Sequence, residues 1–248
     1  MLTSSRGCAK RSPSTFFRRL SMRQSVFSHP ERVQFLAAAH KVESLPPPTG
    51  LPEILVTGRA NVGKSTLLNA IMGRDSMVRV SKKAGHTKAL NFFRLGLEPH
   101  QLVLVDSPGY GQRGRREFAS VFNEYVTKRN ELRRIFVLIN AQHGLLDTDK
   151  AMMHHICRLA SQRETTISIQ PVLTKLDTLT MDSVIFRQAM SQIRKDLVVI
   201  HMKVHAELEA EGLTTPSIFE PLRTAASMSP PFGVEKLRQS VEDVCELM

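Results

Sequence analysis

A chain of 248 residues with 42% hydrophobic content can bury one sizeable α/β core plus an appendage, and is short for two full domains. Its purely apolar runs, such as Ile135-Phe136-Val137-Leu138-Ile139, are only a few residues long, which argues against an integral membrane segment. The formal charge of +11 is unevenly placed: six of the 34 cations precede the first acid, Glu31, and without them 28 bases face 23 acids, a mild +5.

Those six are Arg6, Lys10, Arg11, Arg18, Arg19 and Arg23, interleaved with Ser, Phe16, Phe17 and Leu20. An acid-free, Arg- and Ser-rich segment over residues 1–30 has the composition of an organellar transit peptide, so a mitochondrial matrix address is expected. A plastid address shares that composition, and a disordered basic tail is the other reading. Next, Glu31 to Val42, with Val33, Phe35, Leu36 and Ala38, is expected as a short amphipathic helix. Ser44 to Gly50, with its three consecutive prolines, is a stiff extended linker. Residues 51–248 form the main domain. Cys8, Cys157 and Cys245 are far apart, without metal spacing, as suits a reducing compartment.

The strand Ile54-Leu55-Val56 leads into Gly58-Arg59-Ala60-Asn61-Val62-Gly63-Lys64-Ser65, which fits G-x-x-x-x-G-K-[ST], and then into a helix through Thr66 to Met72. Strand, glycine turn and helix start place backbone N–H groups around a phosphate, so Gly58 to Thr66 are expected to hold the phosphates of a nucleotide. Ser81 to Lys88 lacks apolar periodicity and reads as a loop. In it Thr87, beside Gly85 and His86, is placed to give Mg²⁺ a hydroxyl after that of Ser65; a solvated basic loop is the alternative. Ala89 to Leu97 and Gln101 to Val105 are strands joined too tightly for a crossover, hence antiparallel. The second ends in Asp106-Ser107-Pro108-Gly109, where Asp106 would serve the Mg²⁺ shell and the Gly109 N–H the γ-phosphate.

Further on come a helix over Arg116 to Arg129, a strand over Ile135 to Asn140, a helix over Thr148 to Ala160 and a strand over Ile167 to Leu173. Thr174-Lys175-Leu176-Asp177 follows. The Asp177 carboxylate can accept both donors of a guanine edge, a pair adenine lacks, with the Lys175 stem over the base. A long helix from Met181 to Glu211, a short strand from Ser217 to Thr224 and a last helix from Val234 to Leu247 complete the chain. Thr224-Ala225-Ala226 is placed to offer backbone N–H groups to the guanine oxygen. The alternation predicts an α/β fold with a mostly parallel six-stranded sheet, one strand antiparallel, and helices on both faces, and the order of the motifs makes it a P-loop GTPase domain.

Assembled, these segments resemble an EngB/YihA-type GTPase of the TrmE–Era–EngA–EngB–septin group, and are especially similar to its organellar members. The resemblance rests on residues 58–65, 81–88, Asn91-Phe92-Phe93, Asp106-Ser107-Pro108-Gly109-Tyr110-Gly111 and 174–177. It departs where Ala84 stands in place of a proline, where Thr224-Ala225-Ala226 replaces a serine pair, and in the insertion-like Ser227 to Phe232. The resemblance implies binding of GTP and GDP and assembly of a large ribosomal subunit, with rRNA the contacted surface. A non-catalytic GTP-dependent binding module at a membrane surface or in organelle division, with residues 31–42 its one candidate anchor, is the alternative.

Ras-like enzymes orient the attacking water with a glutamine after the D-x-x-G glycine. Tyr110 stands there in this chain, so catalysis is expected to be slow and to rest on Lys64, Thr87 and Mg²⁺. The resemblance also implies a K⁺ ion at Asn61; a purely conformational role for Asn61 is the alternative. The chain is expected to act as a monomer. His86, His154 and His155 are expected to have surface roles. Basic clusters at Lys82, Lys83 and Lys88, at Arg113, Arg115 and Arg116, and at Lys128, Arg129, Arg133 and Arg134 are candidate contacts for phosphate backbones.

Overall fold

Long β-branched and aliphatic runs suit strands buried on both faces, and a computed structural model shows them in one sheet. It describes residues 25–78, 89–98, 100–111, 116–179 and 183–246. The strands are β1 (Gln34–Ala39), β2 (Glu53–Gly58), β3 (Leu90–Leu97), β4 (His100–Asp106), β5 (Leu132–Asn140), β6 (Ser168–Thr174), β7 (Ser217–Ile218) and β8 (Leu222–Arg223). Their order is β1-β3-β4-β2-β5-β6-β7, with β8 also pairing β6. β3 runs antiparallel to both its neighbours, and the other pairs are parallel.

Helices α1 (Lys64–Met72) and α5 (Val234–Glu246) cover one face; α2 (Arg116–Lys128), α3 (Asp147–Ser161) and α4 (Val184–Ala210) cover the other. Alternation along β5 divides the core between them. Ile135, Val137 and Ile139 pack with α2 to α4, and Phe136 and Leu138 pack with α1 and α5. Each such fully buried side chain stabilises the fold by about 1.5–3 kcal/mol. The fold class is as expected, with eight strands in place of six.

Two corrections account for the additional strands. The segment 31–42, expected as a helix, is instead β1, an edge strand between 3-10 turns at Pro30–Arg32 and Val42–Ser44. A lone short helix is marginal because its nucleation is costly, whereas pairing with β3 fixes the segment as a strand. Phe35 meets Phe93 of β3 edge-on, with ring centres 5.6 Å apart. The expected strand at 217–224 is interrupted at Phe219 to Pro221, leaving β7 and β8.

Only part of the third basic cluster lies at the surface, since Arg129 and Arg134 are buried and Lys128 is exposed. Arg129 is buried and binds Glu53 through Nε (3.0 Å) and Nη2 (2.6 Å), and it donates to Pro46 O, which fastens the proline linker. Arg134 donates to Ser240 and Ser168 between β5, α5 and β6. Lys128 pairs with Glu124 on its own helix, and Arg133 donates to Asn130 O. The other two clusters, with Gly85, His86 and Thr87, lie outside the described residues, apart from the backbone of Arg116.

Candidate functional site

The carboxyl ends of β2, β4, β5 and β6 converge at one edge of the sheet, and each sequence motif begins there. β2 ends at Gly58 and α1 starts at Lys64, with Gly63 at φ 102° and Asn61 at φ 61°, both left-handed. An asparagine tolerates that conformation, so the backbone role foreseen for Asn61 is present. The first amides of α1 have no acceptor within the helix, and the Lys64, Ser65 and Thr66 N–H groups are therefore directed to whatever lies at its N-terminus.

Arg59 and Ala60 are used differently from expectation. The Ala60 N–H donates to Tyr110 O (3.1 Å), and the Tyr110 N–H donates to Gly58 O (3.2 Å). The segment after Asp106 is thus held along the phosphate loop. A Cβ on Gly109 would stand 2.8 Å from Ala60 Cα, so the approach needs glycine. The Arg59 guanidinium turns to Asp149 of α3 (3.7 Å). Tyr110 donates its phenol to the same carboxylate at 3.0 Å. Burial, then the Asp149 charge, pushes the Tyr110 phenol well up, so it stays protonated. The residue standing where a glutamine orients water is therefore engaged with α3. Asp149, which sequence reasoning missed, also accepts the Leu146 N–H at the start of α3.

Lys64 Nζ lies 2.5 Å from Asp106 Oδ1, with both groups buried. Complete burial pushes the Asp106 carboxyl up; Lys64 and Asn91 of β3 draw it back. Asp106 Oδ2 is buried and has no hydrogen-bond partner among the described residues. An unpartnered carboxylate oxygen beside the Ser65 turn fits a hard divalent cation, which takes oxygen ligands.

On β6, Thr174 is buried and donates to Val62 O (2.6 Å), so it braces the phosphate loop from below. Lys175 has φ 59°, and its Cε lies 3.8 Å from where a Gly63 Cβ would stand, so its stem crosses that loop. Asp177 is exposed and accepts a hydrogen bond from Ser227 Oγ at 3.0 Å. The loop containing Ser227 is closed by paired hydrogen bonds between Ala225 and Phe232. The N–H groups of Thr224 and Ala225 are engaged by Leu173 O and Phe232 O, whereas that of Ala226 has no acceptor among the described residues. Of the three residues foreseen, Ala226 is therefore the one able to meet a base oxygen. Ser227 stood in the stretch read from sequence, but its contact is with a residue 50 positions away.

His154 bonds Glu207 (2.6 Å) and His155 bonds Asn123 (2.8 Å), both between helices, and no cluster of three potential metal ligands occurs among the described residues. Burial pushes the Cys157 thiol up to about 12, an inert core thiol.

The fold and this edge define a P-loop protein of the GTPase fold. Residues 53–175 match the family described as "50S ribosome-binding GTPase". A relative described as "Probable GTP-binding protein EngB" from Gluconobacter oxydans is 32% identical over 213 residues, covering 84% of this chain and 82% of the relative. One of the same description from Nitrobacter winogradskyi is 40% identical over 149 residues, 58% of this chain and 65% of its own length. The chain thus spans somewhat less than two thirds of that relative. Among solved structures, Era in complex with MgGDPNP and nucleotides 1506–1542 of 16S ribosomal RNA superposes with a TM-score of 0.52 at 17% identity, over 77% of this chain and 55% of that one. A single-residue variant of Aquifex aeolicus Era bound to GDP·AlF4⁻ gives 0.50 at 18%, over 77% and 56%. Those two establish the fold alone. The chain belongs to the EngB family of GTP-binding proteins.

Proposed function

We propose that the chain binds GTP and GDP, hydrolyses GTP slowly with Mg²⁺, and acts as a switch in assembly of the large ribosomal subunit of an organelle, the mitochondrion. The observation that carries this reading is Asp106: a buried carboxylate with one oxygen on Lys64 and the other without a partner among the described residues, at the mouth of a phosphate loop. Ser65, Asp106 and Thr87 would hold the Mg²⁺, which when bound neutralises charge on the phosphates. Lys64 offers its ammonium to the same phosphates, and the α1 amides fix their position. Asp177, oriented by Ser227, accepts the guanine N–H donors, and Ala226 N–H meets the guanine oxygen. Tyr110, engaged with Asp149, orients no water, which supports a slow rate.

The ribosomal reading is supported by the family description and by the mild positive charge of residues 31–248, and the organellar address by the composition of residues 1–30. The membrane alternative had the segment 31–42 as its only support, and that segment is an edge strand.

Asp177→Asn is expected to weaken GTP binding and improve that of xanthosine triphosphate by roughly tenfold or more each. Unchanged guanine affinity in a fluorescent-nucleotide titration would remove Asp177 as the base reader. The K⁺ role of Asn61 predicts faster turnover in KCl than in NaCl, and equal rates in the two salts would eliminate it. For the partner, the chain should co-sediment with large-subunit precursors from mitochondria in the presence of a non-hydrolysable GTP analogue; recovery in a membrane pellet resistant to nuclease and salt would overturn the ribosomal assignment.

A further inference from the structure

Helix α4 buries one apolar stripe, as a surface helix ordinarily does, and carries further apolar residues on its exposed side. Ile193, Leu197, Ile200, Val204 and Leu208 recur at helical spacing and are buried against the sheet. On the opposite side Val184, Val198 and Met202 are 58%, 56% and 66% exposed, and Val199 beside them is 64% exposed. Between the N-terminal half of α4 and the β6–β8 edge runs a groove of about 740 Å³. Its apolar lining includes Phe186, Met190, Val198, Val199 and Pro221. Among the described residues its charged lining is Arg187, Arg194, Lys195 and Arg223. Glu220 reaches Arg194 at 3.5 Å, but from the exposed rim.

We infer that this groove docks an acidic amphipathic helix of a partner protein. Aliphatic walls that bury an apolar stripe, with cations at the margin, match a helix carrying Leu or Ile on one face and Glu or Asp along its flanks. The other occupants fit less well. The chain's own residues 1–24 carry six cations and no acid, so they share the sign of the groove. A second copy related by two-fold symmetry would set the same cations against one another. Single-stranded RNA suits the cations, but it gains affinity from aromatic stacking, and Phe186 is the one aromatic residue among the described residues lining the groove.

The test uses the full chain and four fluorescent probes at near-physiological salt. They are a Leu/Glu amphipathic peptide of about five helical turns, the same composition scrambled, a Leu/Lys counterpart and an oligouridylate. Anisotropy should show the Leu/Glu helix binding about tenfold or more tightly than the other three. A Val198→Glu/Val199→Glu double variant should reduce that affinity by about tenfold or more, because it places like charge in the apolar wall. Both positions are exposed and outside the nucleotide site, so GTP affinity and Tm should be unchanged, which separates loss of docking from loss of fold. Scrambled and amphipathic peptides binding equally, no loss in the double variant, or groove-dependent binding of the oligouridylate in place of the peptide would each overturn the inference.

Discussion

Two buried carboxylates at opposite ends of the central parallel strands show how the same chemical group is used for structure and for function. Glu53 opens β2 and is fully buried. Its oxygens accept from Arg129 Nε and Nη2 and from the Tyr125 hydroxyl at 2.6 Å, and Arg129 extends the network to Pro46 O and Pro47 O. Burial, then Glu53, pushes the Tyr125 phenol well up, which keeps it a donor. Asp106 closes β4, equally buried, with one oxygen on Lys64 and the other unpartnered among the described residues. A buried polar atom without a hydrogen bond is costly and rare unless a ligand completes it. The closed network fastens the proline linker to the core, and the open one leaves coordination capacity for a cation.

Substitution should therefore separate stability from binding at the two ends. Glu53→Gln leaves the buried Arg129 guanidinium with only the longer, 3.6 Å contact to Glu131 as counter-charge, and is expected to lower stability by about 3 kcal/mol while sparing nucleotide affinity in the fraction that folds. Asp106→Asn also takes the counter-charge from a buried cation, Lys64, but it removes a carboxylate that burial disfavours and whose second oxygen has no partner among the described residues. It should lower stability by roughly 2 kcal/mol less than Glu53→Gln, yet abolish Mg²⁺-dependent GTP binding. Denaturant titrations paired with nucleotide titrations decide; equal stability losses at the two sites would break the comparison.

A smaller effect is expected on the guanine side of the open end. Gly233 has φ 73°, and a Cβ there would stand 1.9 Å from Arg223 O, just before the Thr224 to Ala226 segment. Gly233→Ala should cost about 1–3 kcal/mol, from strain and displacement of that backbone. Guanine affinity should fall with it, because the Ala226 amide moves. Full retention of affinity would show that this loop does not position the base.

The phosphate loop was legible in the sequence because strand, turn and helix start are local in the chain, and β5 and β6 because continuous aliphatic runs suit strands covered on both faces. What sequence could not show depends on distant partners. Arg129 and Arg134 looked like surface cations because Glu53 and Ser240, which bury them, lie 76 and 106 positions away. β1 has its strand character from the edge of β3 rather than from its own propensity. Asp149 sits 39 residues from the tyrosine it holds, at the start of a helix whose sequence gives no reason to connect the two.

Ser227 offers the finest adjustment of the open end. Its hydroxyl donates to Asp177 Oδ2, and both residues are exposed, so water competes for the bond. The net worth of such a bond, one to a charged acceptor but solvated, is about 1 kcal/mol, or roughly a fivefold change in affinity. Ser227→Ala should therefore weaken GTP and GDP binding equally and severalfold, because the base is common to both and the phosphates are untouched. In Asp177→Asn the same substitution should have a smaller effect, since a neutral amide oxygen is a weaker acceptor than a carboxylate. A double-mutant cycle measures that difference directly. Strictly additive losses would mean that Ser227 acts on the loop backbone rather than through Asp177. A loss confined to GTP would place its influence at the phosphates.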